Sequence, residues 1–336
     1  DLSVTGTNIP ANAYIDTITQ LTDPATFELS ASVSGTVSGG ATLTFSGAVA
    51  SKDNVFIGRD AGGGTWSDKA SNYNIGIGSY AMNAALDESV YNTGVGYNVF
   101  GVLTEGDYNT AFGSYALDAL TTSSANVAFG FNALTALTTG GGNVAMGYQA
   151  MDAADGTESY NVAIGYDAMG AFDENGNAGD DNIAIGRNAL SAGVADGNTT
   201  DNIAIGSYAL DGTGTNSPIG IIAIGRGALG ALTTGTGNMA IGYNAMQSHT
   251  TGGGNTAIGY GSMDQTGGDV SGAPNSIYNT FVGYNSGSGD WVDAAASNYN
   301  TGIGALALDD ALNGALHNTA IGYNALGSVT DGGYNV

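Results

Sequence analysis

Asn318-Thr319-Ala320-Ile321-Gly322-Tyr323-Asn324-Ala325-Leu326 is the last complete copy of a motif that recurs from Asn54 onward, and its reading decides the fold. With Asn318 as position 0, Ile321 stands at +3, Gly322 at +4, Tyr323 at +5 and Leu326 at +8. The other copies start at residues 54, 74, 92, 109, 126, 143, 161, 182, 202, 221, 238, 255, 279 and 300, and a sixteenth opens at Asn335-Val336. Successive starts lie 17 to 24 residues apart, most often 17. A short period repeated this often predicts a parallel β-solenoid, in which each repeat is a coil that buries its apolar face against the next.

Comparing the copies position by position turns the pattern into geometry. Position +3 is apolar throughout, from Ile57 through Phe112, Met146 and Ile205 to Ile321, and reads as the core stripe. Position +1 is Val, Ile, Thr or Met and shares that face, alternating with small residues at 0, +2 and +4 on a strand expected from 0 to +5. Glycine at +4 in every complete copy calls for a positive φ or for a backbone contact too close for a Cβ. Leu or Met at +8 in most copies gives a second inward side chain, about two large ones per coil. Asn fills position 0 in all complete copies but one, Ile221, and coils stacked about 4.8 Å apart would align these amides in a structural ladder.

Composition narrows the function. Thirty acidic and five basic residues give a net charge of −25, which repels nucleic-acid phosphates and anionic lipid, so no nucleic-acid partner is expected. There is no apolar run of about 20 residues, so membrane insertion is not expected either. The absence of cysteine removes disulfides, thiolate nucleophiles and Cys-type zinc sites. So acidic a surface suits a salty medium, where screening relieves self-repulsion.

Residues 1–50 differ, with short alternating runs such as Tyr14 to Thr19 and Ala41 to Phe45 that read as a small β module, a cap or connector, ahead of a solenoid over 51–336. A higher-order repeat is visible as well. Asn54-Val55-Phe56-Ile57-Gly58 with Gly62 is echoed by Asn279-Thr280-Phe281-Val282-Gly283 with Gly287, and each is followed by a tryptophan, Trp66 or Trp291. Its second unit breaks off early, which predicts a natural protein that continues past Val336; the start at Asp1 likewise reads as a processed or partial end.

No catalytic constellation stands out, and the chain reads as a non-enzyme. His249 lies in a Ser-His-Thr-Thr-Gly linker, and His317 takes position −1, where seven copies carry Tyr. Position +5 holds Tyr97, Tyr148, Tyr166, Tyr243, Tyr260, Tyr284 and Tyr323, and also all three arginines, Arg59, Arg187 and Arg226. Two readings of this stripe stand: contact with a sugar or protein, and stacking or subunit packing, which carries more weight. The acidic linker with Asp173, Asn175, Asn177, Asp180 and Asp181 has oxygen ligands spaced for calcium, although a solvated turn weighs more; no other cofactor is expected.

The Asn-x-Ala-Ile-Gly core, present at residues 161–165, 182–186 and 318–322, resembles the head repeats of YadA-type trimeric adhesins and the similar repeats of phage tail fibres. That resemblance spans residues 54–336. It implies a left-handed β-roll, a homotrimer, an extracellular place on a virion tail or cell surface, and attachment to a host glycan or protein. A thin coil that buries little alone, with a flat Ala/Gly face, agrees with trimer formation. A tail fibre shaft is the leading expectation. The alternatives are a bacterial surface adhesin or self-assembling filament, then an ice-binding solenoid, whose threonine row is broken here, or a polysaccharide-degrading fibre.

Overall fold

The computed structural model describes residues 53–64, 70–154, 156–171, 179–192, 199–212, 218–266, 275–289, 291 and 295–336, with 27–28 and 42–43. In the N-terminal part, β1 (Phe27–Glu28) and β2 (Thr42–Leu43) pair antiparallel, Phe27 opposite Leu43; the rest of residues 1–50 lies outside the described residues. From Val55 onward fifteen strands, β3 (Val55–Ile57) to β17 (Thr319–Ile321), form one parallel sheet in which each strand pairs with the one before and the one after it in sequence. The chain is a parallel β-solenoid, and no helix occurs among the described residues. Register is kept residue for residue, with Ile183, Ala184 and Ile185 opposite Ile203, Ala204 and Ile205.

Each strand covers only +1 to +3, shorter than the expected 0 to +5, because the chain turns at the +4 glycine. Four positions of the coil take positive φ: in the copy starting at Asn161 they are Tyr160 (59°), Gly165 (141°), Asp167 (55°) and Met169 (53°). The left-handed region costs a non-glycine residue about 1 kcal/mol, and bonds between coils offset it. Asp167 N donates to Tyr148 O of the preceding coil (3.0 Å) and Met169 N to Ala189 O of the following one (3.0 Å). Both reasons for glycine at +4 hold together, since a Cβ on Gly147, at φ 149°, would lie 2.1 Å from the Gly165 carbonyl oxygen.

The two faces of the sheet are the reverse of the expectation. Positions 0 and +2 point into the coil, where Asn182 and Ala184 are fully buried, whereas +1 and +3 point outward. Ile57 is 58% exposed, Met146 41% and Ile303 41%. The supposed core stripe is therefore an external stripe, and the Ala face lies inside. The cause is the width of the coil: the Asn amide fills much of the interior and leaves methyl-sized room beside it at +2. Asn126 shows why the amide is there. Its N donates to Asn109 Oδ1 (2.9 Å) and its Nδ2 to Gly140 O (3.0 Å), while its Oδ1 accepts from Asn143 N (2.9 Å) and Nδ2 (3.2 Å). The expected ladder is present, interrupted at the buried Ile221.

The core proper is built from +2, +7 and +8, as in Ala145, Ala150 and Met151, all buried. A further inward position at +11, not expected from the sequence, adds Leu103, Leu120, Leu137 and Leu232. The higher-order repeat has a packing cause. Where +2 is Phe281, a Cβ on Gly287 (+8) would sit 2.7 Å from its ring, and one on Gly302 (+2 of the next coil) 2.6 Å from it. Phe56 stands in the same relation to Gly62 and Gly76, each at 2.8 Å. Volume is thus moved across the coil rather than added, as a close-packed interior requires. Trp291 lies edge-to-face on Phe281, with centroids 5.8 Å apart, while Trp66 is outside the described residues.

Candidate functional site

With the interior filled by Asn, Ala, Leu and Met, recognition is left to what the corners and the outer face of the sheet display. At the +5 corner all ten residues picked from the sequence are exposed, Tyr97, Tyr148, Tyr166, Tyr243, Tyr260, Tyr284, Tyr323, Arg59, Arg187 and Arg226. They do not make one continuous stripe, because Ser79, Ser114, Ser207 and Ala305 interrupt it. Phe131, an apolar ring that reads from the sequence as core rather than as part of this corner, stacks on Tyr148 (5.5 Å, 14°), which stacks on Tyr166 (5.3 Å, 7°). Further along, Tyr260 stacks on Tyr243 (5.1 Å, 6°) and on Tyr284 (5.5 Å, 16°).

The arginines act through their neighbours. Arg59 lies over the Tyr80 ring at 4.9 Å, Arg187 over Tyr208 at 4.6 Å and Arg226 over Tyr243 at 5.5 Å, with Arg226 Nη1 donating to Tyr243 Oη (2.8 Å). These are cation–π contacts. Within each stack the ring faces are taken up by the next ring or guanidinium. Edges and hydroxyls are what such a stack offers a ligand, and a pyranose finds a free face only where a stack ends.

Position −1 carries the second aromatic corner. Tyr73, Tyr91 and Tyr108 stack in turn, and so do Tyr278, Tyr299, His317 and Tyr334. His317 does replace a tyrosine there, parallel to Tyr299 within 2°. Tyr160 stands apart, with Gly142 before it and Asp181 after it in the column.

His249, read as a linker residue, is fully buried at +11, in line with the Leu103 and Leu232 column. Its Nδ1 lies 3.0 Å from Thr266 Oγ1 and its Nε2 3.5 Å from the ladder amide Asn255 Nδ2. Burial lowers its pKa from 6.5 to about 4, so the ring is neutral at pH 7. It serves as a polar core residue, bridging Thr266 and the amide ladder.

Of the calcium candidates, Asp173, Asn175 and Asn177 lie outside the described residues. Asp180 Oδ1 accepts Ser159 N (2.7 Å), and Asp181 is an exposed corner residue at φ 60°. Among the described residues no group of three or more His, Asp or Glu gathers as metal ligands would. Carboxylates collect instead at +6 and +9, where Asp152 and Asp167 are pushed up in pKa, first by burial and further by neighbouring carboxylates.

The outer face of the sheet is the largest feature. Val55, Ile57, Phe112, Phe129, Met146, Ile185, Ile303 and Ile321 are exposed, and Phe112 stacks on Phe129 at 4.8 Å. The molecule is thus a parallel β-solenoid with an apolar stripe on one face and aromatic columns at two corners. No known family model, curated protein or solved structure matches the chain.

Proposed function

We propose that the chain is the shaft of an extracellular structural and adhesive fibre, assembled as a homotrimer and reaching a host surface in the manner of a phage tail fibre. The observation that carries this reading is the outward apolar stripe at +1 and +3. Fifteen coils at about 4.8 Å each, with strands about 10 Å wide, make a face on the order of 700 Å². Threonine takes +1 in six of the fifteen coils, so the apolar part of this face is comparable with the largest apolar patch of a typical monomer, about 300–600 Å², while the whole face approaches the roughly 800 Å² that each partner buries in a stable interface. A second and third copy of the same stripe are its natural cover. The number three rests on the resemblance of the Asn-x-Ala-Ile-Gly coils to trimeric fibre repeats. Once that face is covered, the corners at +5 and −1 remain for contact with a receptor.

A bacterial trimeric surface adhesin is the second reading, favoured by the same repeats. A threonine row suited to ordered water or mineral is broken into two runs, Thr93 with Thr110 and Thr256, Thr280, Thr301 with Thr319, and does not describe the rod. Sedimentation equilibrium tests the assembly: a mass three times that of the 33.3 kDa chain is expected. Ile205→Glu with Ile224→Glu, on the outward face, should release monomers that keep the β-sheet circular dichroism. A native chain that sediments as a stable monomer overturns the proposal. Binding of the intact trimer to whole bacterial cells then tests adhesion.

A further inference from the structure

The columns that stabilise the corners are also rows of phenols held in register. In the −1 column the ring centroids of Tyr73 and Tyr91 are 4.9 Å apart with planes within 8°. Tyr91 and Tyr108 are 5.2 Å apart at 8°, and Tyr278 and Tyr299 5.6 Å apart at 19°. These five rings are 47% to 60% exposed, so a soluble oxidant reaches them and they have room to turn. With no cysteine in the chain, no disulfide can tie one coil to the next. Phenol coupling is a covalent tie that the composition does allow.

We propose that the tyrosine columns are sites of oxidative cross-linking, where a haem peroxidase with hydrogen peroxide joins tyrosines of adjacent coils as dityrosine. Each phenol gives one electron to the oxidant and its hydroxyl proton to water, leaving a phenoxyl radical whose spin is shared with the ortho carbons. Two neighbouring radicals form one C–C bond between ortho carbons, and the hydrogen on each coupled carbon moves to its phenolic oxygen. The pair loses two hydrogens in all, and one peroxide is reduced to two waters. The solenoid supplies proximity: rings fixed a few ångströms apart meet at an effective concentration that separate chains in dilute solution do not approach. Parallel rings must swing edge to edge to couple, which half-exposed side chains can do. Tyr160 is the internal contrast, since it is 68% exposed, more than any of the five stacked rings, yet has Gly142 and Asp181 as column neighbours. The proposal does not depend on the number of chains in the fibre.

The test oxidises the full chain, dilute and folded, with a haem peroxidase and hydrogen peroxide, then maps cross-linked peptides by mass spectrometry. Expected are dityrosine fluorescence in a band of single-chain mass on a denaturing gel, and peptides two hydrogens lighter than their sum joining Tyr73 to Tyr91, Tyr91 to Tyr108 and Tyr278 to Tyr299. Tyr160 should not appear in intrachain pairs. Tyr91→Phe, which keeps the stacked ring, should lose both links of the first stack and leave the link between Tyr278 and Tyr299 at its original yield. The same chain in urea should lose the preference for column neighbours. The proposal fails if free tyrosine dimerises in the same tube while the folded chain yields no such peptides. It fails equally if the links run only between chains, or if their pattern matches the urea sample.

Discussion

At the scale of single residues, His249 shows how one side chain makes a coil sensitive to pH. It occupies the inward position that Leu232 fills one coil earlier and Thr266 one coil later, fully buried. Its pKa in the folded chain is about 4, against 6.5 for the ordinary imidazole. Between those values the unfolded chain binds a proton that the folded chain does not, so stability is complete above about pH 6.5 and falls as pH drops toward 4. A shift of this size corresponds to a loss on the order of 3 kcal/mol. The carboxylates of Asp118, Asp152, Asp167, Asp264 and Asp309 are shifted upward by burial, and they act with the opposite sign as pH falls through their raised pKa values. His249→Leu, which copies Leu232, isolates the imidazole: urea midpoints at pH 7 and pH 4.5 should differ less in this variant than in the native chain. Equal differences in the two proteins would contradict the assignment.

At the scale of the coil, the exchange between +2 and +8 is a packing rule that can be broken and restored. Gly287→Leu alone drives a side chain into the Phe281 ring, and Phe281→Ala alone leaves a cavity; each should cost about 2–4 kcal/mol. Together they recreate the Ala and Leu pairing of ordinary coils. The backbone accepts it, since leucines at +8 already adopt φ near 50°, as Leu210 (52°) and Leu229 (52°) do. The double variant should recover at least half of the summed loss in a urea denaturation cycle; simple additivity would refute the rule. The same coil shows what was legible in the sequence. Asn at 0 and Gly at +4 announce themselves, because no other residue satisfies the amide ladder or fits against the next Gly carbonyl. The direction of the strand faces was not legible. Ala184 and Ile185 alternate as any half-buried strand does, and which of them points inward depends on the width of a coil that closes many residues away. The +5 and −1 columns were legible as repeated tyrosines. Phe131 and the outward face of Phe112 and Phe129 were not, since apolar residues in a repeat read first as core.

At the scale of the whole molecule, charge acts against the stacking that holds the rod together. The chain has thirty acidic and five basic residues, and in the solenoid, where each coil lies about 4.8 Å from the next, the repeat places like charges near one another. Asp167 illustrates it: after burial and the Asn188 hydrogen bond, its pKa responds to Asp211, two coils further along. With so few cations to pair, and with Arg59, Arg187 and Arg226 turned onto tyrosine rings, the remaining relief is ionic screening. The Debye length is about 30 Å at 0.01 M salt and about 10 Å at 0.1 M. At the lower salt concentration carboxylates several coils apart repel one another; at the higher one the reach shrinks to about two coils. The melting temperature should therefore fall on dialysis from 0.5 M into about 0.01 M sodium chloride without divalent ions and recover when salt is restored, with most of the change in the lowest decade. A melting temperature that does not move would show that repulsion along the rod is already neutralised. Calcium chloride at matched ionic strength separates screening from binding: recovery equal to that in sodium chloride means screening alone, whereas a further rise means that calcium binds to carboxylates of the folded chain.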